Sequence, residues 1–182
     1  MDMNFCRRCG KPLDHLNDHV YKCKSGHTLF ANASPTVGIF FLTEDNQVVL
    51  SVRGIEPHKG MLDTFGGFLD GEETAEAAVA RELQEELNLQ PGDYEAPTYL
   101  TSAIGHYPFA GETLSVLSLL FWSRLTTKKP LIPADDVADV RIIPLHEVNM
   151  EDLHDDDIRV GLKMLQRLFP ASTSNTSVSD PS

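Results

Sequence analysis

Short apolar runs separated by polar breaks dominate the middle of the chain. Thr36 to Leu42 and Gln47 to Val52 are β-branched and aliphatic, with Glu44, Asp45 and Asn46 between them, which predicts two strands joined by a turn. Residues 53–72 carry Gly54, Gly60, Gly66, Gly67, Gly71 and Pro57 and predict a long irregular loop, a length that is usually functional. Thr74 to Leu87 has no Gly or Pro and is dense in Ala, Glu, Leu and Arg, so it reads as a helix with Thr74 as N-cap and Asn88 as a left-handed C-cap. Further strands are expected at Tyr94 to Thr101, Leu114 to Leu125 and Val140 to Ile143. A closing amphipathic helix starts at the acidic run Asp155 to Asp157, spaces Ile158, Leu162, Leu165 and Phe169 helically, and stops at Pro170. The order describes an α/β domain over residues 34–170. Residues 1–33 stand apart as a small unit, and residues 171–182, rich in Ser and Thr, read as a disordered tail.

The first helix has its acids on an unusual side. With Glu82 at zero, about 100° per residue puts Glu86 near 40° and Glu85 near 300°, in the same arc as Ala75, Ala78 and Val79. Three carboxylates about one turn apart on the side that should meet the sheet repel one another unless a cation relieves them. Mg²⁺ and Mn²⁺ prefer such oxygen-rich sites. Periodicity alone equally allows an acidic exposed helix with ion pairs such as Arg81 to Glu85.

Composition narrows the function classes. The 182 residues suffice for one main domain and an appendage, with 41% hydrophobic and 23% charged residues. Fifteen Lys and Arg against 27 Asp and Glu leave a net charge of -12, which disfavours nonspecific binding to nucleic acid or anionic membrane. Clustered carboxylates holding a divalent metal would still admit a phosphorylated substrate. No apolar stretch approaches the roughly 18–20 residues a bilayer span needs. The first residues, MDMNFCRRCGK, carry no apolar signal region, so a reducing cytoplasm is expected.

In that compartment the three cysteines read as metal ligands or free thiols. Residues 1–33 have little apolar content and need a staple. Cys6, Cys9, Cys23 and His27 form C-x₂-C-x₁₃-C-x₃-H, a spacing that can bring three thiolates and one imidazole onto a closed, structural Zn²⁺ site; His15 or His19 could instead be the fourth ligand.

The segment GFLDGEETAEAAVARELQEELNL, Gly67 to Leu89, resembles the Nudix box: Gly67, then Glu73 after five residues, then Arg81-Glu82, Leu83, and Glu85-Glu86 at the box's spacing. Asn88 stands where the box has Gly, and Asn is the next most tolerant residue in the left-handed conformation. The resemblance implies an α/β/α sandwich with a mixed sheet and metal-dependent hydrolysis of a nucleoside diphosphate linked to another moiety. It implies Glu82 and Glu86 as Mg²⁺ or Mn²⁺ ligands, Glu85 as a further ligand or the base, the Gly67 carbonyl as another ligand, and Arg81 with Glu73 as a pair fixing the loop and helix.

Some Nudix enzymes place the base outside the box. Candidates here are Glu112 after Ala110-Gly111, and Asp136 and Asp139 in DDVADVRIIPLHEV, which also read as ordinary surface acids. An amino-terminal zinc ribbon over residues 1–33 followed by a Nudix domain resembles the NADH pyrophosphatase branch, although SAIGHYPFAGETLS echoes that branch's further signature only at Ser102 and Pro108-Phe109. Arg53 and Lys59 are candidate phosphate contacts, and Tyr107 and Phe109, expected in a loop, are candidate base-stacking rings. A dinucleotide such as NADH or NAD, or ADP-ribose, is the expected substrate, and the resemblance admits a homodimer. Alternatives are a non-hydrolysing nucleotide sensor and an enzyme acting on a capped RNA end.

Overall fold

The computed structural model describes residues 3–171, so the tail expected from residue 171 lies outside the described residues beyond that first position. Three short strands open the chain, β1 (Leu13–Asn17), β2 (Val20–Cys23) and β3 (Thr28–Phe30), and form a separate antiparallel sheet. Its core is slight: Cys6, Cys23 and Leu29, with Met3 and Leu13 against them.

The main sheet contains β4 (Ser34–Leu42), β5 (Gln47–Arg53), β6 (Leu62–Asp63), β7 (Thr98–Phe109), β8 (Glu112–Arg124) and β9 (Val137–Pro144). Its order is β6-β5-β4-β8-β7, with β9 added along β5. Only β4 and β8 run parallel among these pairs, so the sheet is mixed. Helices α1 (Ala75–Leu87) and α2 (Asp156–Leu168) complete the fold.

Strand β4 shows why its sequence is apolar at nearly every position. Val37, Ile39 and Phe41 point into one core with Val79, Leu83 and Leu87 of α1, while Phe40 and Leu42 point into another with Ile158, Leu162 and Leu165 of α2. A strand covered on both faces loses the alternation that a half-exposed strand shows. The result is the expected α/β/α sandwich.

Two strands are longer than the polar pattern predicts. β7 extends to Phe109, so Tyr107 and Phe109 lie in a strand and not a loop, and Glu112 begins β8 directly opposite Phe109. Gly105 and Pro108 read locally as breakers, but β7 is the edge of the sheet, where a proline has one free side and no second ladder to break. Similarly β9 spans eight residues, because pairing with the whole of β5 supplies the order its own sequence lacks.

The loop between β5 and α1 is also more ordered than expected. Strand β6 pairs with β5, and the chain then crosses to β4, where the Ile39 N–H donates to the Phe65 carbonyl at 2.8 Å and the Val37 N–H to the Gly67 carbonyl at 2.9 Å. This crossing lays Gly66 and Gly67 against β4 at the foot of α1. Gly66 has φ +142, and a Cβ there would lie 2.2 Å from the Val37 carbonyl oxygen, so only glycine fits.

Candidate active site

Helix α1 has the predicted caps. The Thr74 hydroxyl accepts from the Ala77 N–H, and Asn88 is left-handed at φ 53 with its N–H returned to the helix. Between these caps Glu82 and Glu86 are buried at 8% and 5% exposure, while Glu85 is exposed. The carboxylates therefore divide into two buried groups facing the glycine crossing and one at the solvent edge.

Arg81 ties this arrangement to the loop. Its Nε and Nη2 reach the two oxygens of Glu73 at 3.1 and 3.0 Å, its Nη2 also reaches the Phe68 carbonyl at 3.0 Å, and its Nη1 reaches Glu82 at 2.8 Å and Glu85 at 3.0 Å. The hydrogen bonds from Arg81 hold the Glu73 carboxyl below the usual range. Burial pushes Glu82 upward, against the pull of Arg81.

Glu86 is a different case. Its Oε2 accepts the Gly66 N–H at 3.0 Å, and no cation pairs with it among the described residues. Burial first, then the charge of Glu82 and more distantly Asp63 and Asp136, push its carboxyl up to about 9. Gly67 leaves the room these groups need, since a Cβ there would sit 2.6 Å from Glu82 Oε1. Two buried carboxylates facing a backbone crossing with no side chain form a cradle suited to a hard divalent cation. The Gly67 carbonyl already accepts from Val37 but keeps a second lone pair.

The other candidates separate. Asp136 comes close: the Ala134 N–H bonds to the Glu86 carbonyl at 2.8 Å and the Gly54 N–H to the Asp136 carbonyl at 2.6 Å, docking this turn on α1 and β5. Asp135, not singled out from the sequence, acts electrostatically on Glu82 from the same turn. Asp139 is turned away, paired with Arg141 at 3.1 Å and lining a different groove. Glu112 is exposed at the hairpin tip, and the hydrogen bonds and ion pairs among the described residues link it to none of the box carboxylates. Lys59 is exposed and makes no ion pair among the described residues. Arg53 is held by the Pro57 carbonyl at 2.9 Å and Asp63 at 2.7 Å. Tyr107 packs edge to face on Phe68 at 5.6 Å, with Phe109 stacked beyond it at 6.3 Å.

Sequence reasoning misses the pair of Asp63 and His154, whose Oδ2 and Nε2 lie 2.9 Å apart. Residues distant in the chain meet because the segment at Leu153 bridges to Leu62 beside β6. Burial opposes charge on both groups, yet their mutual hydrogen bond and attraction win: His154 is raised and Asp63 lowered. A raised imidazole contributes stability that is full below its ordinary range and lost as pH rises through the shifted one; a lowered carboxyl contributes above its ordinary range and loses it in acid. The expected result for His154→Gln is a loss of about 2 kcal/mol, or roughly 4–8 °C in Tm, largest between about pH 4.5 and 6.5 and shrinking as pH is raised further. Melting curves of both proteins from pH 4.5 to 9 check it; a pH-independent difference would remove the ionised pair.

At the other end, the ligand atoms of Cys6, Cys9, Cys23 and His27 all lie within 4.8 Å of one another. Cys9 and Cys23 Sγ are 3.7 Å apart and Cys6 Sγ is 3.4 Å from His27 Nδ1. A disulfide would need about 2.05 Å, whereas thiolates on a tetrahedral ion with bonds of about 2.3 Å stand about 3.8 Å apart. His27 is the imidazole brought to the thiols. His15 stacks on Tyr21 at 4.7 Å and His19 lies 6.3 Å from Phe30, outside the group.

Comparison with known proteins settles the family. The model of the NUDIX domain matches residues 33–164. The chain belongs to the NUDIX family. It is 30% identical over 154 residues to the NAD-capped RNA hydrolase NudC of Vibrio atlanticus, covering 75% of this chain and 55% of that protein. It is 27% identical over 113 residues to the mitochondrial NAD(P)H pyrophosphatase NUDT13 of Homo sapiens, covering 62% of this chain and 30% of that protein. The chain thus spans about half or less of these relatives' length. Among solved structures it is similar to a NUDIX hydrolase from Nitrosomonas europaea, with 25% identity, a TM-score of 0.63, and 91% of this chain and 89% of that one covered. The NUDIX domain of Shewanella oneidensis NrtR, solved with ADP ribose, matches at 21% identity and a TM-score of 0.61, covering 77% and 90%; that likeness concerns the fold. Among the described residues no helix is long and apolar enough to cross a membrane.

Proposed function

We propose that the chain is a divalent-metal-dependent pyrophosphohydrolase acting on a nucleoside diphosphate linked to another moiety, a dinucleotide such as NADH or NAD, or ADP-ribose. The observation that carries this reading is the buried pair Glu82 and Glu86 facing Gly67, whose missing side chain leaves room at Glu82 Oε1. Glu82 and Glu86 would hold Mg²⁺ or Mn²⁺, with the second lone pair of the Gly67 carbonyl available to the same ion. Such an ion supplies Lewis acidity and a lowered pKa for water. Glu85, at the solvent edge and oriented by Arg81 at 3.0 Å, takes the proton as water attacks phosphorus. The new P–O bond forms as the bond to the bridging oxygen breaks, releasing a nucleoside monophosphate. Arg81 and Glu73 hold the loop and helix in register. The cysteine cluster would carry one structural Zn²⁺ in a unit spanning residues 1–33.

The relatives named for NAD-capped RNA and NAD(P)H support a dinucleotide-type substrate. The test is turnover of NADH, NAD, ADP-ribose and diadenosine tetraphosphate with Mg²⁺ or Mn²⁺, with products separated and Glu85→Gln as control. Metal-dependent release of AMP that the control lowers at least roughly a hundredfold supports the reading. Tight binding of one compound with no cleavage under either metal would replace it by a nucleotide sensor.

A further inference from the structure

The three cysteines of the chain all stand in the amino-terminal cluster, and none is in a disulfide. They are not equivalent. Cys6 and Cys23 are 2% and 3% exposed, whereas Cys9 is exposed, as are its neighbours Arg7, Arg8, Gly10 and Lys11. Cys9 is therefore the cysteine that a small reagent reaches without opening the small sheet.

The contacts of the sulfurs differ as well. Cys9 Sγ lies 3.7 Å from Cys23 Sγ, while Cys6 Sγ lies 3.4 Å from His27 Nδ1. Each pair joins the turn after Cys6 to the turn after Cys23, which the Gly10 and Gly26 N–H groups close on the Cys6 and Cys23 carbonyls at 2.8 Å each. Cys9 sits on the looser part of its turn. Its own N–H reaches the Cys6 carbonyl only at 3.3 Å, and Gly10 beside it is left-handed at φ +67 with nothing within 4 Å of where a Cβ would stand.

A metal-ligating cysteine is held as the thiolate, and the thiolate is the form that oxidants attack. A cysteine open to solvent with a second sulfur at hand passes through the sulfenic acid to a disulfide, the pattern of redox-responsive thiols. We propose that Cys9 and Cys23 form a peroxide-sensitive pair, in which hydrogen peroxide oxidises Cys9, Cys23 resolves it, and the disulfide dismantles the cluster. In the first step Cys9 Sγ attacks the peroxide; an S–O bond forms as the O–O bond breaks, giving the sulfenic acid and one water. In the second step Cys23 Sγ attacks the Cys9 sulfur; the S–S bond forms as the S–O bond breaks, and the oxygen leaves as a second water. The two thiols supply both electrons and both protons. The sulfurs must close from 3.7 Å to about 2.05 Å, a movement that the open turn at Gly10 permits.

Cys6 and His27 are then the remaining ligands, two where a structural zinc site needs about four. The inference rests on the zinc reading for the loss of an ion alone; the thiol pair stands on its own distances and exposure. The loss of order stops at the ribbon, whose core is Cys6, Cys23 and Leu29, because the main sheet has its own two apolar cores.

The experiment treats the wild-type protein, its zinc content measured beforehand, with about ten equivalents of hydrogen peroxide and follows free thiols, intact mass and released zinc. Disulfides are mapped by proteolysis after alkylation. Free thiols are expected to fall from three to about one per chain and the mass by about 2 Da. The map should show Cys9 linked to Cys23 and Cys6 alkylated, with zinc released in step with the thiols and regained on adding dithiothreitol and Zn²⁺. Amide protection should fall in β1, β2 and β3 and stay in β4 and β8. Cys9→His keeps four ligands and removes the exposed thiol, so peroxide should release its zinc at least roughly tenfold more slowly; should that variant bind no zinc, the wild-type map decides by itself. Three thiols surviving the treatment, a disulfide that contains Cys6 or joins two chains, or Cys9 carried to the sulfinic acid with no disulfide overturns the proposal. A Cys9 to Cys23 disulfide in wild-type protein that held no zinc upholds the pair and overturns the zinc assignment, and one zinc per chain with thiols that peroxide leaves intact does the reverse.

Discussion

Glu86→Gln is expected to lower kcat with Mg²⁺ by roughly a thousandfold, on the scale of losing a group that stabilises charge in the transition state, while the metal-free protein stays folded and melts no lower than wild type. The two halves of this result have one cause. Glu86 is the buried carboxylate of the site with no cation among the described residues, since Arg81 is shared by Glu73, Glu82 and Glu85. A glutamine oxygen can still accept the Gly66 N–H that Glu86 accepts at 3.0 Å, so the shape and hydrogen bond survive. With its carboxyl pushed up to about 9 by burial and the neighbouring carboxylates, Glu86 is protonated at neutral pH in the metal-free protein, so glutamine replaces one neutral group by another. An ion needs the ionised carboxylate, and there glutamine removes a ligand. Melting curves with and without Mg²⁺, alongside turnover, separate the two: the variant should lose the rise in Tm that Mg²⁺ gives wild type. Turnover within threefold of wild type would take Glu86 out of the metal set.

The second large effect is expected at the other end of the chain. Cys23→Ser should reduce bound zinc from one per chain to below about a tenth and abolish amide-exchange protection in β1, β2 and β3, with the protection of β4 and β8 retained. The small sheet has a slight interior, its buried side chains being two of the cysteines themselves, Tyr21 and Leu29. Structural zinc sites of this kind contribute about 10–16 kcal/mol of apparent binding free energy, much of it realised as folding. The main sheet instead has two apolar cores, one under each helix. Metal analysis of the purified protein and hydrogen exchange check both parts. A zinc-free wild type with a fully protected β2 would refute the zinc assignment.

Much of the fold can be read from local pattern. The caps at Thr74 and Asn88 and the spacing of Cys6, Cys9, Cys23 and His27 are one-dimensional facts, and the structure places helix and cluster where they indicate. The apolar runs at 36–42 and 47–52 fall within β4 and β5 for a local reason too: a strand covered on both faces buries nearly every side chain, so nearly all of them are apolar, and the buried Ser51 spends its hydroxyl on the Thr64 carbonyl.

What pattern could not supply is whatever depends on a partner far along the chain. Tyr107, Pro108 and Phe109 form a strand because β8 pairs with them and the opposite edge is free, which no window around Pro108 reveals. His154 finds Asp63 through the bridge from Leu153 to Leu62. Thr36, Ser118 and Asp157 meet across 82 and 39 residues in one hydrogen-bonded chain. By itself, then, the sequence determined which groups are the candidates for the chemistry and how the helix that bears the carboxylates begins and ends, because those rest on neighbours within a turn or two. Only the tertiary structure decided how deeply Glu86 is withdrawn from water, which acids stand near it and what lies beside the site, because desolvation and electrostatic interaction sum over all the atoms that surround a group in space.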